Sequence, residues 1–323
     1  MRLFMISLIK LLKEVTGTPK AIILGGGAGS GKTYLVSNIL GTLKNGNFNP
    51  KGSSENFTYL NPDDIVEKTG TSLGDAMVQF RSMFDNATEN KQNIIWDTTA
   101  ANIKNTLGKL PGYDKMLVMV YTHPIVSILQ NAKRSRTLPT DAVIKTWNNV
   151  YGNIKPYQDE LGDNFILIQN IIPGYEKEIK EFNNAVIEGP EKLKKYLTDL
   201  LLSDPEKFKS SFSKPFDFSS KEIKNAFENA LKQSSYNERE DEDILKQVKK
   251  EFEKEYQKKN EDPGVEVLEK KLKSARNAKE RDAKNYEEDI QGIVDKLTSP
   301  EFEKLITPVS KEELQQKVSA FVK

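Results

Sequence analysis

The chain has 323 residues, with 48 lysines and arginines against 47 aspartates and glutamates, so its net charge of +1 offers no basic surface as an argument for nucleic-acid binding. Cysteine is absent and His123 is the lone histidine, which excludes disulfides, cysteine-ligated zinc, a cysteine nucleophile and a multi-histidine metal cluster within the chain. Carboxylates, hydroxyls, lysine, arginine and backbone amides remain, a set suited to phosphoryl transfer, where positioning and charge stabilisation carry most of the catalysis.

The length predicts about two domains. A mean hydropathy of −0.59 is low for one large core, so the polar excess must be local. No apolar run reaches the ~20 residues of a membrane span. At the N-terminus Arg2 precedes a short apolar run, 3–9, but Lys10, Lys13 and Glu14 follow without a small-residue cleavage site. An amphipathic leading helix within 1–17 is expected there, and cytoplasmic residence with it.

Five strand-length apolar runs follow, at 21–24, 57–60, 93–96, 116–121 and 165–169. Helix-compatible segments lie between them at 32–43, 72–87, 125–136 and 141–151. This alternation predicts a five-stranded parallel sheet with helices on both faces, over 18–185. The runs lack strict polar alternation, as strands buried on both sides do. Beyond about residue 173 strand signals stop, and 186–323 is expected to be helical. Residues 190–203 form an amphipathic pattern, and 209–220 reads as a connecting loop. Between 241 and 290, 15 acidic and 13 basic side chains locate the polar excess. Pro263-Gly264 divides that stretch into two arms, giving a charged helical hairpin at about 222–323 with i,i+4 ion pairs or a partner-binding face.

The chemistry concentrates in Gly26-Gly27-Ala28-Gly29-Ser30-Gly31-Lys32-Thr33, which follows the first strand and opens a helix. Its glycines let successive N–H groups converge into an anion nest at a helix N-terminus. Lys32 would reach the outer phosphates and the Thr33 hydroxyl would ligate Mg²⁺. Tyr34 completes the set of nucleotide-binding residues. The second run ends in Asn61-Pro62-Asp63-Asp64. Asp63 is a candidate general base, and either aspartate is alternatively a helix N-cap. Asp97, Thr98 and Thr99 end the third run: Asp97 stands where a metal-holding acid would, and all three are candidates for acceptor contact. Capping of a helix at 102–107 is the alternative for this group. Lys133, Arg134 and Arg136 precede Pro139; Arg134 and Arg136 would neutralise the transferred phosphate if the helix frays into a lid, and otherwise form a solvated basic helix end. His123 reads as structural.

With these elements placed, residues 18–172 resemble the zeta-toxin-like P-loop kinases, a branch of the group that contains polynucleotide and small-molecule kinases. The resemblance rests on the phosphate loop, the Asn61-x-Asp63 pattern, Asp97-Thr98-Thr99 and the arginine-bearing lid. It implies a P-loop NTPase three-layer fold with the phosphate-loop strand central among five, Mg·ATP as donor, and γ-phosphate transfer to a hydroxyl. It further implies Asp63 as base, Asp97 toward the acceptor, and Arg134 and Arg136 on phosphates. Asp97 stands where the toxins usually carry glutamate, and their lid Gly-Gly-His element is missing, so their sugar-nucleotide acceptor is not carried over. The chain also looks similar to kinases of large tailed phages, and a nucleotide, a polynucleotide or a small molecule is expected as acceptor. The competing expectation is an ATPase, or a nucleotide-regulated binding or assembly protein, whose C-terminal helices engage a protein partner.

Overall fold

The computed structural model describes residues 17–44, 46–51, 56–71, 73–134, 137–203, 221–233, 242–259 and 263–323. The expected leading helix, the loop at 209–220 and Arg136 lie outside the described residues.

Two compact units divide the chain: Met1–Tyr196 with Gly292–Lys323, and Leu197–Gln291. The first is an α/β unit built on a sheet of seven strands, two more than the apolar runs predict. They are β1 (Lys20–Gly25), β2 (Gly41–Lys44), β3 (Asn47–Pro50), β4 (Phe57–Leu60), β5 (Ile94–Asp97), β6 (Asp114–Tyr121) and β7 (Phe165–Gln169). Their spatial order is β2-β3-β4-β5-β1-β6-β7. The five expected strands are the parallel ones, with β1 in their middle, paired to β5 and β6. Most of their residues are fully buried, which explains the unbroken apolar runs.

The additional pair is an antiparallel hairpin, β2 with β3, added to the edge beyond β4. It replaces the last three residues of the helix expected at 32–43. The helix α1 (Lys32–Leu35) passes into a π-helical turn, Val36–Leu40, and the chain then extends. Two features favour the hairpin over a longer helix. Asn45-Gly46 is a two-residue hairpin signal, with Gly46 at φ 79°. Gly41 meanwhile lies so close to the Asn49 carbonyl and the Phe48 ring that any side chain there would collide. The strands are short and half polar, so alternation gives little apolar signal.

The remaining elements of this unit are α2 (Pro62–Thr69), α3 (Leu73–Glu89), α4 (Ile103–Gly108), α5 (Pro124–Ala132), α6 (Thr140–Tyr151), α7 (Ile154–Leu161), α8 (Glu176–Glu188) and α9 (Pro190–Ser203), the last running past Tyr196. Helix α6 packs an aromatic cluster under β6, with Trp147, Tyr151 and Tyr121 at centroid separations of 5.1 to 6.3 Å. Phe302, from the C-terminal stretch, joins it at 6.0 Å from Trp147.

That stretch supplies α13 (Pro300–Leu305) and α14 (Lys311–Val322). Leu314, Val318 and Val322 of α14 share a core with Ile22 and Leu24 of β1, Leu35 of α1, Ile39 of the π turn, and Ile166 and Ile168 of β7. The backbone also ties in: the Val309 N–H donates to the Leu167 carbonyl at 2.9 Å.

The second unit contains α10 (Lys221–Gln233), α11 (Glu242–Lys259) and the part of α12 (Gly264–Leu297) up to Gln291. Its core is Phe227, Val248, Phe252, Leu268 and Leu272 with small alanines between, and the Phe227 and Phe252 rings meet edge to face at 5.4 Å. Lys271 lies 3.6 Å from Glu251 and 3.9 Å from Glu255, so one cation serves two acids a helical turn apart. No helix among the described residues is long and apolar enough to cross a membrane.

Candidate functional site

The loop between β1 and α1 is pinned from three sides. The Gly26 N–H donates to the Thr99 carbonyl at 3.1 Å. The Ser30 carbonyl accepts from Thr122 Oγ1 at 3.0 Å and from Asn170 Nδ2 at 2.8 Å, so the ends of β6 and β7 both hold it. Gly29 is at φ 72°, and a Cβ there would lie 2.7 Å from the Ser127 carbonyl oxygen. Only glycine meets both conditions without strain. The loop is thus held in one conformation at the start of α1, with Thr33 and Tyr34 exposed beside it.

Lys32 folds back over this loop. Its ammonium donates to the Gly26 carbonyl at 2.7 Å and the Gly27 carbonyl at 3.3 Å, and stands 3.8 Å from Asp97 Oδ1. Burial is the largest influence on both groups, lowering the Lys32 pKa and raising that of Asp97, and each charge offsets part of the other's penalty.

Asp97 ends β5 and is not a cap: Asn102 caps α4, accepting from the Asn105 N–H at 2.9 Å. The second oxygen of Asp97 accepts from the buried Tyr59 hydroxyl at 3.2 Å. Burial, together with the neighbouring carboxylate, pushes the Tyr59 phenol far up, so it remains a donor. Asn61 Nδ2 in turn donates to the Tyr59 oxygen at 3.1 Å and to Asp64 Oδ1 at 3.2 Å.

Asn61 is also the N-cap of α2, accepting from the Asp63 N–H at 2.9 Å. Neither aspartate therefore caps the helix; both occupy its first turn, where the macrodipole favours carboxylates. Asp64 is held by Asn61 and lies 3.7 Å from Lys68, on its own helix. Asp63 faces the opposite wall, where Arg134 Nη2 meets its Oδ2 at 3.1 Å. Helix α5 ends at Ala132, four residues earlier than the apolar pattern predicts. The Asn131 side chain closes the following loop with two bonds to Leu138, at 2.8 and 3.1 Å. Arg134 leaves the helix at this point and reaches across the cleft.

Thr98 and Thr99 line the same cleft, and the backbone behind them is braced. Ala100 has φ 54°, a conformation alanine seldom adopts, while its carbonyl accepts from Tyr157 Oη at 3.1 Å. His123 lies apart from the cleft lining. Its Nε2 pairs with Asn183 Oδ1 at 2.9 Å, its ring sits edge-on to Phe182, and burial lowers its pKa to about 4.

These groups surround a cavity of about 1110 Å³, above the rough 300–1,000 Å³ of single-ligand pockets. Lys32, Asp63, Asp97, Arg134, Thr98 and Thr99 line it, with Gly27–Tyr34 at its base. Gly26 contributes through its carbonyl. The sequence reading misses several lining residues: Met77, Phe80, Trp96 and Lys109 on the Asp63 side, with Lys109 5.6 Å over the Trp96 ring, and Gln130, Asn170, Ile171 and Lys311 elsewhere. Trp96 near the end of β5 and Asn170 and Ile171 after β7 carry the signal of a strand end; Met77, Phe80, Lys109, Gln130 and Lys311 carry none. Among the described residues no group of three or more carboxylates or histidines forms a metal cage.

Residues 9–143 match the family model described as Zeta toxin. Among solved structures, the AvrRxo1-ORF1:AvrRxo1-ORF2 complex with sulphate ions aligns at 14% identity and a TM-score of 0.36, covering 50% of this chain and 57% of that one. The same complex with ATP aligns equally. A structure from the PezAT chromosomal toxin-antitoxin system of Streptococcus pneumoniae aligns at 16% identity and a TM-score of 0.31, over 60% of this chain and 96% of that one. The chain thus spans little more than half the length of the first of these neighbours. No curated protein sequence matches. It is the family match that supports a zeta-toxin-like P-loop fold.

Proposed function

We propose that the protein is an ATP-dependent kinase that transfers the γ-phosphate of Mg·ATP to a hydroxyl of a nucleotide, polynucleotide or small-molecule acceptor. The observation carrying this reading is the Asp63–Arg134 pair, 3.1 Å apart, on the rim of the cavity whose base is the phosphate loop. A plain nucleotide switch needs no carboxylate there.

In this reading the amides of Gly27–Thr33 hold the phosphates, and Lys32 leaves the Gly26 and Gly27 carbonyls for the outer phosphate oxygens. Arg134 turns from Asp63 to the transferred group, neutralising charge that builds on its equatorial oxygens. Asp63, released, accepts the acceptor's hydroxyl proton as the new P–O bond forms. The bond from the γ-phosphorus to the bridging oxygen breaks, and ADP leaves with its electron pair. Arg136 would add a second cation to the lid.

The donor set fits Mg²⁺: a threonine hydroxyl and a carboxylate beside a phosphate site, without the all-protein cage that this ion rarely uses. Thr33 and Asp97 would hold it, and it would supply charge neutralisation for phosphoryl transfer. Thr98 and Thr99 would contact the acceptor, with Met77, Phe80 and Trp96 as an apolar wall.

Transfer from γ-labelled ATP to a panel of nucleosides, nucleotides and oligonucleotides tests the proposal. Lys32→Ala should abolish labelling, and Asp63→Asn should reduce it about 10²–10⁴-fold with ATP affinity kept. Full activity of Asp63→Asn removes Asp63 as base. Steady release of labelled phosphate with no labelled acceptor makes the protein an ATPase instead.

A further inference from the structure

The C-terminal return to the sheet places Lys311 on the lining of the same cavity. Strand order and chemistry divide that cavity. Asp63 follows β4 and Asp97 ends β5, both to one side of β1, while Asn170–Pro173 follow β7 on the other side. Under the kinase reading, on which this inference rests, the γ-phosphate must face Asp63. The nucleoside then extends from the loop in the opposite direction, toward Asn170–Pro173.

Lys311 belongs to this second side. The Val309 N–H to Leu167 carbonyl bond fixes the chain beside β7 two residues before it. Ser310 caps α14, accepting from the Glu313 N–H at 3.0 Å, so Lys311 sits in the first turn of a formed helix. Leu314 is fully buried one turn on, and Gln315 Nε2 donates to the Ile39 carbonyl at 3.3 Å. That carbonyl belongs to the π turn that directly continues α1. The backbone carrying Lys311 is thus locked to the helix that starts at the phosphate loop, while its own side chain is exposed at the cavity.

We infer that Lys311 is a nucleotide-binding residue, contacting the nucleoside end of the donor from the far end of the chain. An ammonium only donates, so it would seek acceptor atoms on the base edge or the ribose. A residue with this role lies outside the stretch matched by the family model, 9–143.

The experiment is calorimetric titration of the full chain, wild type and Lys311→Ala, with Mg·ATP and separately with inorganic tripolyphosphate. Lys311→Ala should weaken Mg·ATP about tenfold, the size of a lost hydrogen bond from a charged donor, and leave tripolyphosphate unchanged. Lys311→Arg should recover most of the affinity, and thermal melting should match wild type, separating a lost contact from a loosened helix. Unchanged ATP affinity overturns the inference, and so does an equal loss for tripolyphosphate, which would put Lys311 on the phosphates. If wild type and Lys32→Ala bind Mg·ATP equally weakly, the kinase reading falls first. If only the Lys311 result fails, that reading stands alone.

Discussion

Two cation–carboxylate pairs flank the phosphate loop, and they differ in kind. Lys32 and Asp97 are nearly enclosed, with side-chain exposures of 15% and 7%, and other protein groups contact both. Arg134 and Asp63 meet more closely, yet stand 36% and 43% exposed. Distance alone would rank the second pair as stronger. Burial reverses the ranking, because a charge enclosed without its partner is costly, whereas water replaces a partner on the rim at little expense. The inner pair is therefore the structural one, and under the proposed kinase reading the outer pair is the one that separates as phosphate arrives.

Substitutions can break this contrast, and the largest expected effect is on the inner pair. Asp97→Ala leaves the Lys32 ammonium enclosed without its countercharge and should cost about 3 kcal/mol, measured by urea denaturation at pH 7. A loss under about 1 kcal/mol would mean that Lys32 escapes to water and that the pair is no more structural than the rim. Removing both side chains should return part of the loss, and a double-mutant cycle measures how much.

His123, outside the cavity lining, gives a second largely buried group against which to judge burial alone. Its folded pKa of about 4 lies below the ordinary 6.5, so the unfolded chain takes up a proton first as pH falls. Stability is fully present above pH 6.5 and declines toward pH 4, by up to about 3 kcal/mol. His123→Gln should flatten this slope in denaturation curves at pH 7, 6 and 5. An unaltered slope would assign it to other groups.

The smallest effect belongs to the rim. Arg134→Ala should change stability by less than about 1 kcal/mol while impairing phosphate transfer, a separation that denaturation and the labelling assay show together. A stability loss as large as that of Asp97→Ala would erase the contrast between the pairs.

Much of this was legible in the sequence because it is local. The five parallel strands are continuous apolar runs, and the phosphate loop is contiguous from Gly26 to Thr33. The hairpin β2–β3 was masked by short, half-polar strands, so the expected helix ran into its first strand. Asn61 as the cap of α2 was hidden by two aspartates that are equally good caps on paper. Only the geometry shows both facing elsewhere. Tyr59 looked like one more apolar strand residue, and its hydroxyl gained meaning only once β5 brought Asp97 alongside. Lys311 was beyond sequence reasoning, because what makes it part of the cavity is a contact across most of the chain.

That contact has a consequence for how the protein is made. Gln315 and Ile39 are 276 positions apart, and Leu314, Val318 and Val322 fill the core beside the helix that opens at the phosphate loop. At roughly 5–20 residues per second of synthesis, about 14 to 55 seconds separate the emergence of the two partners. During that interval the apolar face of the first helix and of the sheet beneath it lacks its final cover. A nascent chain therefore carries a finished nucleotide-loop sequence well before it can carry a finished nucleotide site.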